Sequence, residues 1–213
     1  MLLPRLYAIL DAGLVLDADA LLRMAGELAA AGVTLIQYRN KTGSPREILD
    51  QARTLRQSLP SRVTLILNDR ADLCVAAELN GVHLGQDDLS PTAARRVIGG
   101  ERWLGVSTHN PEQVRAANLT DANYIAIGPI FPTTSKHNPD PVVGLDGIRR
   151  ARELTGKPLV AIGGITRENC RSVVEAGADS VAMISRLISG SIGGTQAAAQ
   201  DFLAFLPPVR VNS

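Results

Sequence analysis

Seven short apolar runs of this 213-residue chain each stop in a cluster of polar residues or glycines: LIQYRNK, LILND, VHLGQDD, WLGVSTH, YIAIGPIFPTTSK, LVAIGGI and SVAMIS. Each run has the length of a buried strand and is followed by a segment with helical periodicity. Strands that alternate with helices run parallel, and burial on both faces removes their apolar–polar alternation. LYAIL adds one more near the start, so the count reaches eight strand–helix units, the number that closes a (β/α)8 TIM barrel. Such a barrel carries its chemistry at the carboxyl ends of its strands, which is where the polar clusters fall.

Local chemistry sets the helix boundaries. ADALLRMAGELAAAG repeats apolar residues at three- and four-residue steps and closes on Gly32. Ser44-Pro45, Ser90-Pro91 and Asn110-Pro111 each pair a capping side chain with a proline at the first helical position. ADLCVAAEL reads as the helix after the third strand, and the longest polar loop runs from Pro129 to Gly144. Residues 1–213 read as a single domain, with a core drawn from 45% hydrophobic residues and a peripheral tail at 206–213. A formal net charge of +1 argues against nucleic acid or a membrane surface as partner. The opening apolar stretch is broken by Pro4 and Arg5, and no run approaches the roughly 18 apolar residues of a membrane span. Cys74 and Cys170 lie far apart without CxxC spacing, which predicts buried, reduced thiols in a cytoplasmic protein.

Candidate site residues cluster at the strand ends. In LIQYRNK, alternation places Gln37, Arg39 and Lys41 on one side and Tyr38 and Asn40 on the other. An arginine and a lysine so placed can grip an anion, although the same pair also fits solvated loop charges. Asn68 and Asp69 directly precede a helix, so they read either as site residues or as its cap. Asp87 and Asp88 have no such duty, because Ser90 already looks like the cap. Carboxylates from adjacent strand ends among cations suggest a shared Mg²⁺, an ion that takes one or two protein carboxylates and fills the rest with water and phosphate oxygens. His83, inside a strand, reads as a packed or pocket-wall residue rather than a metal ligand, and no second histidine at metal spacing supports zinc. Thr133, Thr134, Ser135 and Lys136, bracketed by prolines, suit phosphate, with a solvated flap as the alternative. Gly163-Gly164 and Ile184-Ser185 end the last two strands, where barrels often hold a phosphate on backbone N–H groups; a plain tight turn is the alternative. Ser107 can donate into the centre of the rim, whereas Thr108, His109 and Asn110 read as the next helix start. Together these residues make two anion pockets, one cationic with Mg²⁺ and one of backbone. No nucleophile–base pair stands out, so catalysis by positioning and charge neutralisation is expected.

QxRxK, the Asn-Asp pair, GVHLGQxD, GVSxH, GPxFPTxxK and AIGGI, in that order between about Tyr7 and Ser185, resemble the thiamine phosphate synthase (thiamine-phosphate pyrophosphorylase) family. The resemblance implies an α/β barrel that couples a hydroxymethylpyrimidine diphosphate to a thiazole phosphate, releasing pyrophosphate. By resemblance, Gln37, Tyr38, Arg39, Asn40, Lys41, Asn68, Ser107 and Lys136 hold the pyrimidine diphosphate, with Ser107, Lys136 and Arg39 as the catalytic set. Asp69 and Asp88 would bind Mg²⁺, and Thr133, Thr134, Ser135, Gly164, Ile184 and Ser185 the thiazole phosphate. The chain departs from the family pattern at Asn40, at Ser135 and at Asn80, where the family usually has Glu, Thr and Asp. Two other functions weigh against coupling: a thiazole tautomerase on the same barrel, and a non-catalytic protein that binds thiazole or thiamine phosphate. Neither requires Arg39, Lys41, Asp69, Asp88 and Lys136 together. A phosphosugar isomerase would want an acid/base pair at the rim, and none is visible.

Overall fold

The computed structural model of the protein describes residues 2–15, 17–133 and 140–208. Its strands are β1 (Leu6–Asp11), β2 (Leu35–Arg39), β3 (Thr64–Asn68), β4 (Gly81–Leu84), β5 (Trp103–Thr108), β6 (Tyr124–Ile127), β7 (Leu159–Ile162) and β8 (Ser180–Met183). All pair in parallel in chain order, and β8 returns to β1 to close the barrel. Between them run α1 (Ala18–Ala30), α2 (Pro45–Ser58), α3 (Ala71–Ala76), α4 (Pro91–Ile98), α5 (Pro111–Asn118), α6 (Gly144–Leu154) and α7 (Cys170–Glu175), with α8 (Gly194–Phe205) closing the ring. A 3₁₀ turn at Ala12–Leu14 follows β1. The strands are buried throughout or nearly so, as their unbroken apolar runs require.

Two apolar cores result. The larger lies between the sheet and the helices; the smaller fills the barrel with Tyr7, Ile9, Leu35, Ile66, Tyr124 and Val160 among others. The cap signatures hold: Ser44 Oγ accepts from Glu47 N at 3.2 Å, Ser90 Oγ from Ala93 N at 3.3 Å and Asn110 Oδ1 from Gln113 N at 2.9 Å. Thr108 is a correction. It belongs to β5, fully buried, and its hydroxyl donates to Ala126 O at 2.8 Å. The helix after β3 ends at Ala76 rather than reaching Leu79, because Glu78 turns into left-handed backbone at φ 54°. The first part of the tail is bound rather than peripheral: Leu206 is buried, and Arg5 donates to Pro207 O and Pro208 O at 3.0 and 2.7 Å. Both cysteines are buried and unbridged.

At the amino ends of the strands one device recurs three times. Asn80, Asn123 and Asp179 each stand just before an even-numbered strand. Each bonds both ways to the backbone of the preceding strand, with side-chain oxygens accepting from Leu65, Leu104 and Leu159 N at 2.8 Å in every case. Arg56 of α2, Arg95 of α4 and Arg152 of α6 donate to the same three side chains at 3.1, 2.7 and 2.9 Å. This repeat spans two strand–helix units, a longer period than the single unit legible in the sequence. It also places Asn80 at the end of the barrel opposite the site.

Candidate active site at the carboxyl ends of the strands

Arg39 is the last residue of β2 and pairs in register with Asp11, the last of β1. Their side chains form a partly buried ion pair, and Asp11 also accepts from Gly13 N at 3.0 Å. Lys41, half exposed, sets Nζ 2.5 Å from Asp69 Oδ2. Asp69 has φ 63°, a conformation uncommon outside glycine, Asn and Asp, and does not cap α3; the N-cap of that helix is Arg70, which makes no side-chain cap bond. The alternative of Asn68 and Asp69 as a cap is thereby removed. Asp69 stands against Asp88, whose Oδ2 accepts from Gly85 N at 2.7 Å, while Asp87 is exposed. Burial lifts the Asp69 carboxyl above the ordinary carboxylate range; Lys41 draws it down and Asp88 pushes it up again.

Two carboxylates crowded on adjacent strand ends, one of them destabilised in its charged form by burial, fit a hard divalent cation. Beside them, Asn68 Nδ2 is buried and has no partner among the described residues, a donor waiting for an acceptor. No cluster of three or more carboxylate, histidine or cysteine ligands occurs among the described residues, so the remaining ligands of such an ion would come from water and phosphate.

The alternation expected along β2 is present. Gln37 points into the barrel, whereas the Tyr38 hydroxyl meets Gln51 of α2 and Asn40 Nδ2 donates to Tyr38 at 3.2 Å. Asn40 Oδ1 further accepts from Gly43 N at 2.7 Å.

The barrel floor carries a polar chain that sequence reasoning missed in part. Gln37 Nε2 donates to the Tyr7 hydroxyl at 2.8 Å, which lies 2.9 Å from the Tyr124 hydroxyl. Tyr124 meets His83 Nδ1 at 3.1 Å, and His83 Nε2 meets Ser107 Oγ at 2.9 Å. His83 is thus a buried, packed residue held between Tyr124 and Ser107. Tyr7 and Tyr124 lie inside the strand runs LYAIL and YIAIG and belong to no polar cluster. Their only sequence signal was a phenol on the interior face of a strand, where a purely apolar side chain would serve as well for packing.

On the other side of Ser107 opens a cavity of about 750 Å³, walled by the ends of β5 to β8 and their loops. Thr133, Gly163, Gly164, Ile184 and Ser185 line it, as does Arg186, an exposed cation the motif reading passed over. Gly163 and Gly164 have φ 99° and 63°, and a Cβ on Gly164 would lie 2.6 Å from Pro132 O. The β6 and β7 loops interlock there, Ile130 N donating to Ile162 O at 2.9 Å and Phe131 N to Gly163 O at 3.0 Å. His109 keeps its place at the start of α5, its N donating to Gln113 Oε1 at 2.7 Å, and its ring also sets Nδ1 2.6 Å from Gly128 O and Nε2 3.5 Å from the Asp140 carboxylate. Thr134, Ser135 and Lys136 lie outside the described residues.

The family model described as thiamine monophosphate synthase matches residues 6–187, nearly the whole barrel. The chain belongs to this family. A thiamine-phosphate synthase of Koribacter versatilis is 64% identical over 87% of this chain and 90% of its own length. One of Chloroflexus aurantiacus is 42% identical over 87% of this chain and 85% of its own. The solved thiamine phosphate pyrophosphorylase of Pyrococcus furiosus superposes with a TM-score of 0.81 at 31% identity, covering 94% of both chains. The thiamine monophosphate synthase family is a family of transferases, and the barrel expected from the sequence is the fold found here.

Proposed function

We propose that this chain couples 4-amino-2-methyl-5-hydroxymethylpyrimidine diphosphate to 4-methyl-5-(2-phosphoethyl)thiazole, or its carboxylated form, giving thiamine phosphate and pyrophosphate, with CO2 released as well from the carboxylated form. The observation that carries this reading is Ser107. On β5 it stands between the charged rim of Arg39, Lys41, Asp69 and Asp88 and the glycine-walled cavity, where one molecule bound on each side would meet. Family membership supports the same chemistry.

The exocyclic C–O bond of the pyrimidine substrate breaks with its electron pair leaving on pyrophosphate. The aminopyrimidine ring spreads the resulting positive charge, and the thiazole nitrogen lone pair then forms the new C–N bond. Arg39 and Lys41 take the diphosphate, with Arg39 aligned by Asp11. Ser107 donates to an oxygen at the reacting centre. Gly164, Ile184, Ser185 and Thr133 hold the thiazole phosphate, joined by Thr134, Ser135 and, on the diphosphate, Lys136. Asp69 and Asp88 would hold Mg²⁺, which when bound supplies charge neutralisation for the leaving pyrophosphate. The substrates are small phosphorylated molecules. No helix among the described residues is long and apolar enough to cross a membrane, and a cytoplasmic setting accords with two unbridged cysteines.

The test is pyrophosphate release by purified protein given both substrates, with Mg²⁺ or with a chelator. Release that needs both substrates and the metal, with thiamine phosphate formed, is the expected result. Thiazole phosphate binding without release would point instead to the tautomerase or the binding protein.

A further inference from the structure

We propose that Tyr7, Tyr124 and His83 are positioning residues, forming a one-way chain of hydrogen bonds that holds His83 as its Nε2–H tautomer and aims the Ser107 hydroxyl proton into the substrate cavity. The inference rests on the proposed place of Ser107 beside the reacting centre.

The direction of the chain follows from its first member. An amide nitrogen only donates, so the 2.8 Å contact makes Tyr7 the acceptor from Gln37. Tyr7 is 1% exposed, and around it stand Ile9, Leu35, Ile66 and Val160, none of which offers a side-chain acceptor. Its own proton therefore goes to the Tyr124 oxygen at 2.9 Å. Tyr124, fully buried, has then accepted once, and its proton goes to His83 Nδ1 at 3.1 Å. A histidine that accepts at Nδ1 carries its proton on Nε2, and that proton goes to Ser107 Oγ at 2.9 Å. Ser107 has now accepted from within, so its own proton is left for the cavity it lines. Burial raises both phenols well above their ordinary range, so each keeps the proton the chain requires.

The surrounding backbone is built for this chain. His83, Gly105 and Tyr124 are register neighbours on β4, β5 and β6. A Cβ on Gly105 would lie 2.3 Å from the Tyr124 hydroxyl and 2.5 Å from His83 Nδ1, so the link between them passes through space only glycine leaves open. The His83 ring also stacks on Tyr124, with centroids 5.5 Å apart and planes 24° apart, and Tyr124 meets Tyr7 edge-on at 80°. Apolar side chains would fill the same volume without needing partners; an unbroken polar chain here specifies orientation.

Two measurements decide it. The first is the two-bond ¹H–¹⁵N correlation spectrum of ¹⁵N-histidine protein without substrates, with the His83 signal assigned by His83→Gln. The Nε2–H pattern is expected; an Nδ1–H pattern or a doubly protonated ring overturns the proposal, whether or not the protein makes thiamine phosphate. The second is a cycle of Tyr124→Phe and Ser107→Ala. Tyr124→Phe should lower kcat about ten- to a hundredfold with the KM of either substrate changed little, and should mix the His83 tautomers. In the Ser107→Ala background the same change should cost almost nothing, because the group it aims is gone. Equal losses in both backgrounds overturn the proposal. Should Tyr124→Phe fail to fold, Tyr7→Phe carries the same cycle. If no variant, wild type included, turns over substrate, the coupling reading fails, and the spectrum alone judges the chain.

Discussion

Asp69 concentrates several demands on one residue. Its left-handed backbone is one that Asn shares readily, so Asp69→Asn changes the charge while leaving the turn intact. In the wild type the ionised form is opposed by burial and by Asp88, and only Lys41 favours it. Removing the charge therefore relieves an unfavourable juxtaposition. In a chelator, Asp69→Asn should melt at the wild-type temperature or above. Turnover should nevertheless fall on the order of a hundredfold, with more Mg²⁺ needed for half-maximal rate. A variant that loses melting temperature and activity in parallel would make Asp69 a structural residue. Cys74 is the opposite case, a group with no part in the chemistry. Burial pushes its thiol up to about 11, and it sits 3.1 Å from Gly81 O. At pH 8 only about one thiol in a thousand is ionised, so native protein should leave Cys74 unlabelled by iodoacetamide over hours, whereas denatured protein labels at once. Rapid native labelling of Cys74 would show that β3, β4 and α3 open far more readily than their packing implies.

Among the elements, α8 depends most on a neighbour. Its N-cap is Gly193, which brings no side chain, and Glu27 of the neighbouring α1 does that work. The Glu27 carboxylate accepts from Gly193, Thr195 and Gln196 N at 2.9, 3.1 and 3.3 Å and pairs with Arg23 at 3.1 Å. Burial alone would raise its pKa, but these donors outweigh it and the net shift is downward. A lowered carboxylate contributes stability above its unfolded pKa and loses it as pH falls through the folded value. Glu27→Gln should therefore cost about 2 kcal/mol near pH 7, measured by urea unfolding, and the gap to wild type should close as pH drops below about 4. A gap independent of pH would assign Glu27 a packing role. This helix also marks how far sequence reading reaches. Strands were legible because both their faces are buried, and the helix starts at Pro45, Pro91 and Pro111 because cap and proline are adjacent residues. The Glu27 cap joins residues 166 or more positions apart, and the Tyr7–Tyr124 contact spans 117. Such pairings follow from barrel closure and leave no local trace. The rim residues of β2 to β5 were found because each sits beside its own strand end. Which of their side chains pair with one another, Arg39 with Asp11 and Lys41 with Asp69, needed the register.

The whole molecule divides by its two ends. At the carboxyl ends the structure tolerates costly features: two crowded carboxylates, a buried Asn68 amide N–H group without a partner among the described residues, and a left-handed Asp69. At the amino ends the clasps on Asn80, Asn123 and Asp179 bind strand, strand and helix at three places around the barrel. A barrel of this kind places stability at the bottom and chemistry at the top, which makes the two separable by mutation. Asn123→Ala removes the acceptor for Arg95 and leaves the Leu104 N–H inside the sheet without its partner. A lost bond to a guanidinium and an unsatisfied buried donor together should cost about 2–4 kcal/mol, read as a lower urea midpoint at unchanged slope. Because the site is built on the opposite end of β5 and β6, kcat and KM measured well below the midpoint should stay within about twofold of wild type. Ser107→Ala, on the same strand β5 but at its other end, should do the reverse: turnover falls on the order of a hundredfold while the midpoint holds. If Asn123→Ala lowers kcat as much as Ser107→Ala does, β5 transmits strain along its length and the two ends are one cooperative site.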